Sequence, residues 1–431
     1  MTATENRVVV VGGGMAGHRL AQQLAAHDAG RELLLVGEEE HRPYNRVLLA
    51  EVLAGRYAPE LAELAELPPQ ARRHRARVVR IDRAQRRVLC DDGAELGYGT
   101  LVLATGSNPV LPPLRGLFDD SRTGREQHEL PAGVFAFRTM ADCAEIEAHL
   151  PGTAQAVVVG GGLLGVSAAR ALAARGVQVV LAHQGEHLLE RHLDPEAAGL
   201  LRGHLTELGV EVHTECRVRS VLTRDRTVTG VELADGYRLD AGLLVLATGV
   251  APRTGLARAA GLTVRQGVVV DDRLRTDDPH VHAVGDCAEH DATVYGLAGP
   301  ALEQADVLAK VLTGREARYR GSRLLTRLTL AAPPDRRPLD LAAFGTTTPG
   351  PDDHVVRLTD SGRGSYRKVI VRPGEDGDRL VGGVLLGDLD TVGSLADTWE
   401  GDEALSAHPL HLLTTQSVHS SRGTNDGGTS R

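Results

Sequence analysis

The hydrophobic pattern opens with a continuous β-branched run, Val8 to Val11, which suits a strand buried on both faces. It breaks at Gly12-Gly13-Gly14-Met15-Ala16-Gly17, and Arg19 to Ala29 then reads as a helix rich in Leu, Ala and Gln. A second apolar run, Leu33 to Val36, closes on Gly37-Glu38. Strand, glycine turn, helix and strand make a βαβ unit. The same order recurs in Ala156 to Val159, Gly160-Gly161-Gly162-Leu163-Leu164-Gly165, a helix through Ala174, and Val177 to Leu181. Two such units about 148 residues apart form an internal repeat. Past Lys310 the pattern changes: Tyr319 to Ala332 and Val355 to Leu385 alternate like antiparallel strands with Gly-Asp and Ser-Gly turns. From about Thr414 the chain is mostly Ser, Thr, Gly and Asn, and reads as a disordered tail.

Glycines at these spacings have separate tasks in a phosphate-binding turn. The first makes the tight turn, the second lets backbone approach a pyrophosphate, and the third lets helix pack on strand. Gly12, Gly14 and Gly17 fit these tasks, as do Gly160, Gly162 and Gly165. Met15, Ala16, Leu163 and Leu164 lie between the glycines and supply the first helical amides. Both turns follow a strand and open a helix, which is the context that gives a GxGxxG pattern meaning. Two adenine-dinucleotide folds in one chain are therefore expected. Glu38, at the end of the second strand, is placed to accept from a ribose hydroxyl. The second copy ends Val180-Leu181-Ala182-His183-Gln184, with Glu186 late and Arg191 nearby, so the choice between NADH and NADPH stays open.

Composition narrows the class. The chain has 431 residues, 42% hydrophobic and 24% charged, a globular balance long enough for two or three domains. A net charge of −9 argues against nucleic-acid binding through a basic field. No stretch approaches the roughly 20 apolar residues of a membrane span, and no signal peptide precedes the first strand. A cytoplasmic location is the expectation. Cys90, Cys143, Cys216 and Cys287 are too widely spaced for a CxxC pair, a flavin-linked disulfide, a zinc knuckle or an iron–sulfur loop. No HExxH occurs among the histidines, and His280 and His282 lack an evident third ligand, so no metal centre is expected. With seven Tyr, four Phe and one Trp, a cofactor would pack mainly on backbone and aliphatic groups.

Further motifs follow in order: Leu101-Val-Leu-Ala104-Thr105-Gly106, Leu244-Val-Leu-Ala-Thr-Gly249, and Thr276 through Val281 to Gly285-Asp286. With the glycine turns, these resemble the pyridine-nucleotide-dependent flavoprotein superfamily that includes glutathione, ferredoxin and rubredoxin reductases. Within it, Pro43-Tyr44-Asn45-Arg46-Val47-Leu48-Leu49, Val294-Tyr295-Gly296-Leu297, Leu188 to Asp194 and Tyr366 to Val371 are most similar to the NAD(P)H nitrite reductase large subunit. The resemblance covers residues 7 to about 413.

That resemblance implies an α/β fold with two Rossmann-like domains, for FAD and NAD(P), plus a small C-terminal α+β domain. It implies an FAD domain from 1–115 and 243–312, an NAD(P) domain at 116–242, a third domain at 313–413 and a tail at 414–431. Asp286, after Gly285, would hydrogen-bond the ribityl chain of FAD while opening a helix at Cys287-Ala288. Arg46 would lie against the cofactor, the ATG segments would border it, and Tyr295 and Gly296 would offer backbone donors to the flavin ring. Two departures stand out: Ser167 where the family often has Glu near the nicotinamide, and Glu51 near a spot where rubredoxin reductases carry Lys. No side chain need act as a catalytic acid or base. The implied activity is electron transfer from NAD(P)H through FAD to a sirohaem or iron–sulfur nitrite reductase, a nitrate reductase or a ferredoxin-like acceptor. Lacking any CxxC, the chain would be the reductase module alone. The alternatives are a ferredoxin or rubredoxin reductase, an NADH oxidase, or a nucleotide-sensing flavoprotein; a homodimer is compatible with each.

Overall fold

A computed structural model describes residues 6–27, 30–118, 129–332, 337–360, 362–405 and 408–414. The β-branched run becomes the strand Arg7–Val11, the centre of a five-stranded sheet. It pairs in parallel with Glu32–Gly37 on one side and Thr100–Leu103 on the other. Val281–Ala283 and Ala71–Arg75 complete the sheet at its two edges. Val8, Val9, Val10, Leu101 and Val102 are fully enclosed, as strands covered on both faces require.

A second five-stranded sheet repeats this plan. Gln155–Val159 lies between Gln178–Ala182 and Leu243–Leu246, with Val210–His213 and Val134–Ala136 outside them, all parallel. Each central strand turns into a helix, Met15–His27 in the first sheet and Leu163–Ala174 in the second. The first helix starts four residues before the Leu-rich stretch because the glycine turn feeds directly into it.

Two segments bear on where the chain divides. Leu243–Leu246 belongs to the second sheet, in register with Ala156–Val159, and not to the first. The division into two units falls at Leu324/Leu325, with residues 191–197 joining the second unit. Residues 313–324 therefore sit with the first unit. There Tyr319 is buried, donates its N–H to the Asp272 carbonyl at 2.7 Å and meets the His290 and Tyr295 rings edge-on.

The second unit is an antiparallel sheet ordered Leu325–Leu330, Leu339–Gly345, Arg379–Leu386, Ser365–Arg372 and His354–Asp360. Helix Val392–Gly401 packs Trp399 against Phe344, with ring centroids 5.4 Å apart. Within this unit Lys368, 1% exposed, pairs with Asp194 and donates to the Thr347 carbonyl, while Tyr366 Oη donates to Asp194 at 2.8 Å. Of the expected tail, Thr414 ends the short helix Leu410–Thr414, and residues 415–431 lie outside the described residues.

Candidate functional site

Both glycine turns are built alike, atom by atom. Gly12 N–H donates to the Val36 carbonyl at 2.7 Å, and Gly160 N–H to the Ala182 carbonyl at 2.9 Å. A Cβ on Gly12 would lie 2.0 Å from the Ala104 carbonyl oxygen, and one on Gly160 would lie 2.3 Å from that of Ala247. Both residues hold positive φ, +119° and +118°. The third glycines are equally closed: a Cβ on Gly17 would meet the Gly12 carbonyl at 2.2 Å, and one on Gly165 that of Gly160 at 1.7 Å.

The second glycines differ from these. Among the described residues, nothing lies within 4 Å of a Cβ on Gly162, and only the Arg46 Nε, at 4.0 Å, approaches one on Gly14. No fold contact therefore demands glycine at either position, whereas a ligand approaching the backbone does. Neither helix carries an acidic residue in its first turn, and Gly162 caps the second without a side-chain acceptor. The amides contributed by Met15, Ala16, Leu163 and Leu164 thus keep their partial positive charge for an anion. The two cradles fit adenine dinucleotides.

The ATG segments fasten the two halves together. Ser107–Pro109 pairs antiparallel with Val250–Pro252. Thr105 Oγ1 donates to the Arg253 carbonyl at 2.8 Å, and Thr248 Oγ1 to that of Val110 at 2.7 Å. Gly106 (φ +70°) and Gly249 (φ +111°) turn the chain into this ribbon, with open space beside each. Ala104, 8% exposed, backs Gly12.

Glu38 lies at the end of Glu32–Gly37 and forms an ion pair with Arg253, which also donates to Asn108 Oδ1 at 2.7 Å. Arg46 opens a 3-10 turn capped by Asn45, stacks on Tyr44 at 5.0 Å, pairs with Glu39 and donates to the Arg138 carbonyl at 3.1 Å. Burial opposes ionisation of Glu39, but Arg46 and Tyr44 outweigh it and hold that carboxyl below its ordinary range.

Asp286 sits in the 3-10 turn Gly285–Cys287, and a strand, Ala288–His290, follows it. The helix expected at Cys287-Ala288 is absent, so side chains rather than helix amides meet its charge. Ser107 Oγ donates to Asp286 Oδ2 at 2.8 Å and Arg138 Nη2 donates to the same oxygen at 2.5 Å. Gly285 N–H donates to Gln304 Oε1 at 2.7 Å, fixing the turn. Cys287 is fully buried, its Sγ near the Leu103 and Val284 carbonyls, and burial pushes its thiol pKa up. Tyr295 Oη accepts from the Ser322 N–H at 3.2 Å, and the neighbouring Gly296 (φ +64°) faces open space.

Arg138 and Ser107 are the Asp286 partners that sequence reading missed. Thr139 and Asp142 form a capping box at the start of helix Met140–His149, and Asp142 also accepts the Arg138 N–H at 2.7 Å. The TxxD spacing marks that helix start in the sequence. Nothing local shows that the arginine before it reaches a carboxylate 148 residues away.

In the second cleft His183 Nδ1 accepts the Gly161 N–H at 3.1 Å, and burial lowers the His183 pKa. Leu189 N–H donates to the Gly161 carbonyl, and Glu190 accepts the Glu186 N–H at 2.9 Å, folding residues 185–190 onto the glycine turn. Ser167 is buried inside its helix. Glu51 pairs with Arg170 of the same helix at 2.5 Å. His282 is buried with Nδ1 unpartnered, and burial takes its pKa down to about 4.

Residues 6–305 match the family described as pyridine nucleotide-disulphide oxidoreductase. The NAD(P)H nitrite reductase of Bacillus subtilis (strain 168) is 33% identical over 89% of this chain and 46% of its own length. The assimilatory nitrate reductase electron transfer subunit of the same organism is 31% identical over 91% of this chain and 49% of its own. The chain thus spans about half the length of these curated relatives. Among solved structures, the covalent putidaredoxin reductase–putidaredoxin complex has a chain 26% identical, with a TM-score of 0.78 over 94% of this chain and 95% of that one. No described helix is long and apolar enough to cross a membrane. With its duplicated glycine turns and a family match across 6–305, the chain belongs to the pyridine nucleotide-disulphide oxidoreductase family.

Proposed function

We propose that the chain is an NAD(P)H-dependent FAD oxidoreductase that hands electrons to a protein acceptor in nitrite or nitrate assimilation. The observation that carries this reading is the pair of cradles whose second glycines, Gly14 and Gly162, face open space while the first and third are closed by backbone. The acceptor class rests on the names of the relatives: a nitrite reductase, a nitrate reductase electron transfer subunit, and a reductase solved with its putidaredoxin.

Bound FAD would supply the hydride acceptor and the means of passing electrons onward. The chain's own part is binding and orientation. Gly12, Gly14 and Gly17, with the amides of Met15 and Ala16, take the FAD pyrophosphate, and Glu38 takes the ribose, sharing its carboxylate with Arg253. Asp286, held by Ser107 and Arg138, accepts from the ribityl chain. Arg46, the segment Ala104–Gly106 and the loop at Tyr295 and Gly296 border the rest. Gly160, Gly162, Leu163, Leu164, Gly165 and Gly249 take the nicotinamide coenzyme. FAD goes with the first sheet and the 250–324 segment, NAD(P)H with the sheet spanning 134–246. No thiol pair of the chain takes part, since all four cysteines are free and Cys287 is sealed inside the protein.

Anaerobic mixing of the flavin-loaded protein with NADH or NADPH tests this reading. Bleaching of the flavin's visible band within seconds is expected, followed by faster turnover with protein acceptors or ferricyanide than with oxygen. Slow bleaching with a changed oligomer size would favour a nucleotide sensor, and oxygen turnover matching the protein acceptors would favour an oxidase.

A further inference from the structure

The strand Ala71–Arg75 is an edge of the first sheet, paired among the described residues only with Glu32–Gly37. The hairpin of Val78–Asp82 and Arg87–Cys90 follows it, turning at residues 91–94 into Glu95–Gly97. Here His74, Cys90 and Asp92 bring one nitrogen, one sulfur and one oxygen to within 4.8 Å of one another. The glycine turns, Asp286 and the coenzyme cleft use none of them.

The turn itself aims Asp92. Cys90 N–H donates to the Ala94 carbonyl at 2.9 Å, Gly93 N–H to the Cys90 carbonyl at 3.1 Å, and Asp92 Oδ1 accepts the Ala94 N–H at 3.0 Å. That leaves Oδ2, which lies 2.9 Å from His74 Nε2. This nitrogen is shielded from solvent, and the Asp92 carboxylate is its polar neighbour. Cys90 closes the triad from the core side, 5% exposed.

We propose that His74, Cys90 and Asp92 form a binding site for a borderline divalent cation of the Zn2+ type. Imidazole, thiolate and carboxylate together suit Zn2+ better than Mg2+ or Ca2+, which prefer all-oxygen shells. Ligand bonds of about 2.0–2.3 Å place tetrahedral neighbours about 3.3–3.7 Å apart, a spacing these atoms reach by small side-chain shifts. Three protein ligands leave the fourth position to water. Binding replaces the Cys90 thiol proton, which passes to solvent. The ion would tie the edge strand to the hairpin and blunt an otherwise open sheet edge.

The test uses the flavin-loaded full-length protein, stripped with a chelator, incubated with zinc chloride and desalted. We expect about one Zn2+ retained per chain by atomic spectrometry, and a Tm raised by roughly 5 °C in excess Zn2+. His74→Gln and Cys90→Ser should each lower retention more than about tenfold, the range that even outer-shell changes produce. Cys216→Ser, at a half-buried thiol outside the cluster, should leave retention unchanged. Flavin content verifies that each variant is folded, and His74, about a third exposed, gives a variant that spares the core. Wild-type protein retaining under a tenth of an equivalent overturns the proposal, as does equal retention by His74→Gln.

Discussion

Gly12 and Gly14 stand two positions apart and answer to different constraints. Gly12 is fixed by the fold, since its Cβ would sit 2.0 Å from a carbonyl oxygen at φ +119°. Among the described residues, nothing lies nearer than 4.0 Å to a Cβ on Gly14. Replacing Gly12 by Ala should therefore cost about 3 kcal/mol or more through strain and displaced backbone, and lower yield and Tm. Gly14→Ala should fold with a Tm near the parent and lose FAD affinity by more than about tenfold, because a methyl takes the space a pyrophosphate would use. Flavin-release titration beside thermal melts separates the two. An unchanged FAD affinity in Gly14→Ala would remove the cofactor reading of this turn. At this scale the sequence was informative: all six glycines were legible from spacing alone. Arg138 was not, because its partner Asp286 is near only after folding.

At the scale of elements, periodicity located the two βαβ units and erred where a short segment is set by its neighbours. Asp286 looked like the start of a helix, yet Gly285–Cys287 makes a single 3-10 turn before another strand. Leu339–Gly345, with buried Leu341, Ala342, Ala343 and Phe344, is a strand that the alternation from Tyr319 to Ala332 did not reveal. Two helices from different halves meet through Glu51 of Leu49–Leu53 and Arg170 of Leu163–Ala174. Arg170 is 2% exposed, and burial pulls its pKa down despite the carboxylate. Glu51→Gln leaves that guanidinium without its counter-charge, which should cost about 3 kcal/mol and lower Tm by roughly 5 °C. A melt of the flavin-loaded protein checks this; an unchanged Tm would show that the pair contributes no net stability.

For the molecule as a whole, the two parallel sheets share the arrangement of four strands, which the internal repeat accounts for, and differ in the fifth: Val281–Ala283 follows the other four along the chain, whereas Val134–Ala136 precedes them. The second unit rests on a different device. Burial opposes ionisation of Asp194, and Lys368, the Ala197 N–H and Tyr366 overcome it, holding the carboxyl below its ordinary value. A depressed folded pKa gives stability that is complete above the unfolded value of about 3.9 and is lost as pH falls through the folded one. The single tryptophan, Trp399, lies in this unit, so its fluorescence should report unfolding that sets in below about pH 4. Asp194→Asn should weaken that acid dependence and cost about 3 kcal/mol at neutral pH by leaving Lys368 buried without its partner. Equal acid profiles for the two proteins would count against this ion pair.

The sequence by itself determined the duplicated βαβ plan, the six turn glycines and the family, because those signals are local: strand and helix periods, and glycines at a fixed spacing between a strand and a helix. Tertiary structure alone decided that Leu243–Leu246 joins the second sheet, that residues 191–197 join the second unit, and that Arg138 and Ser107 hold Asp286. It also brought His74 to Cys90 and Asp92. Each of these contacts joins residues far apart along the chain or in separate elements, and a side chain's distant partner leaves no periodic trace in the residues beside it.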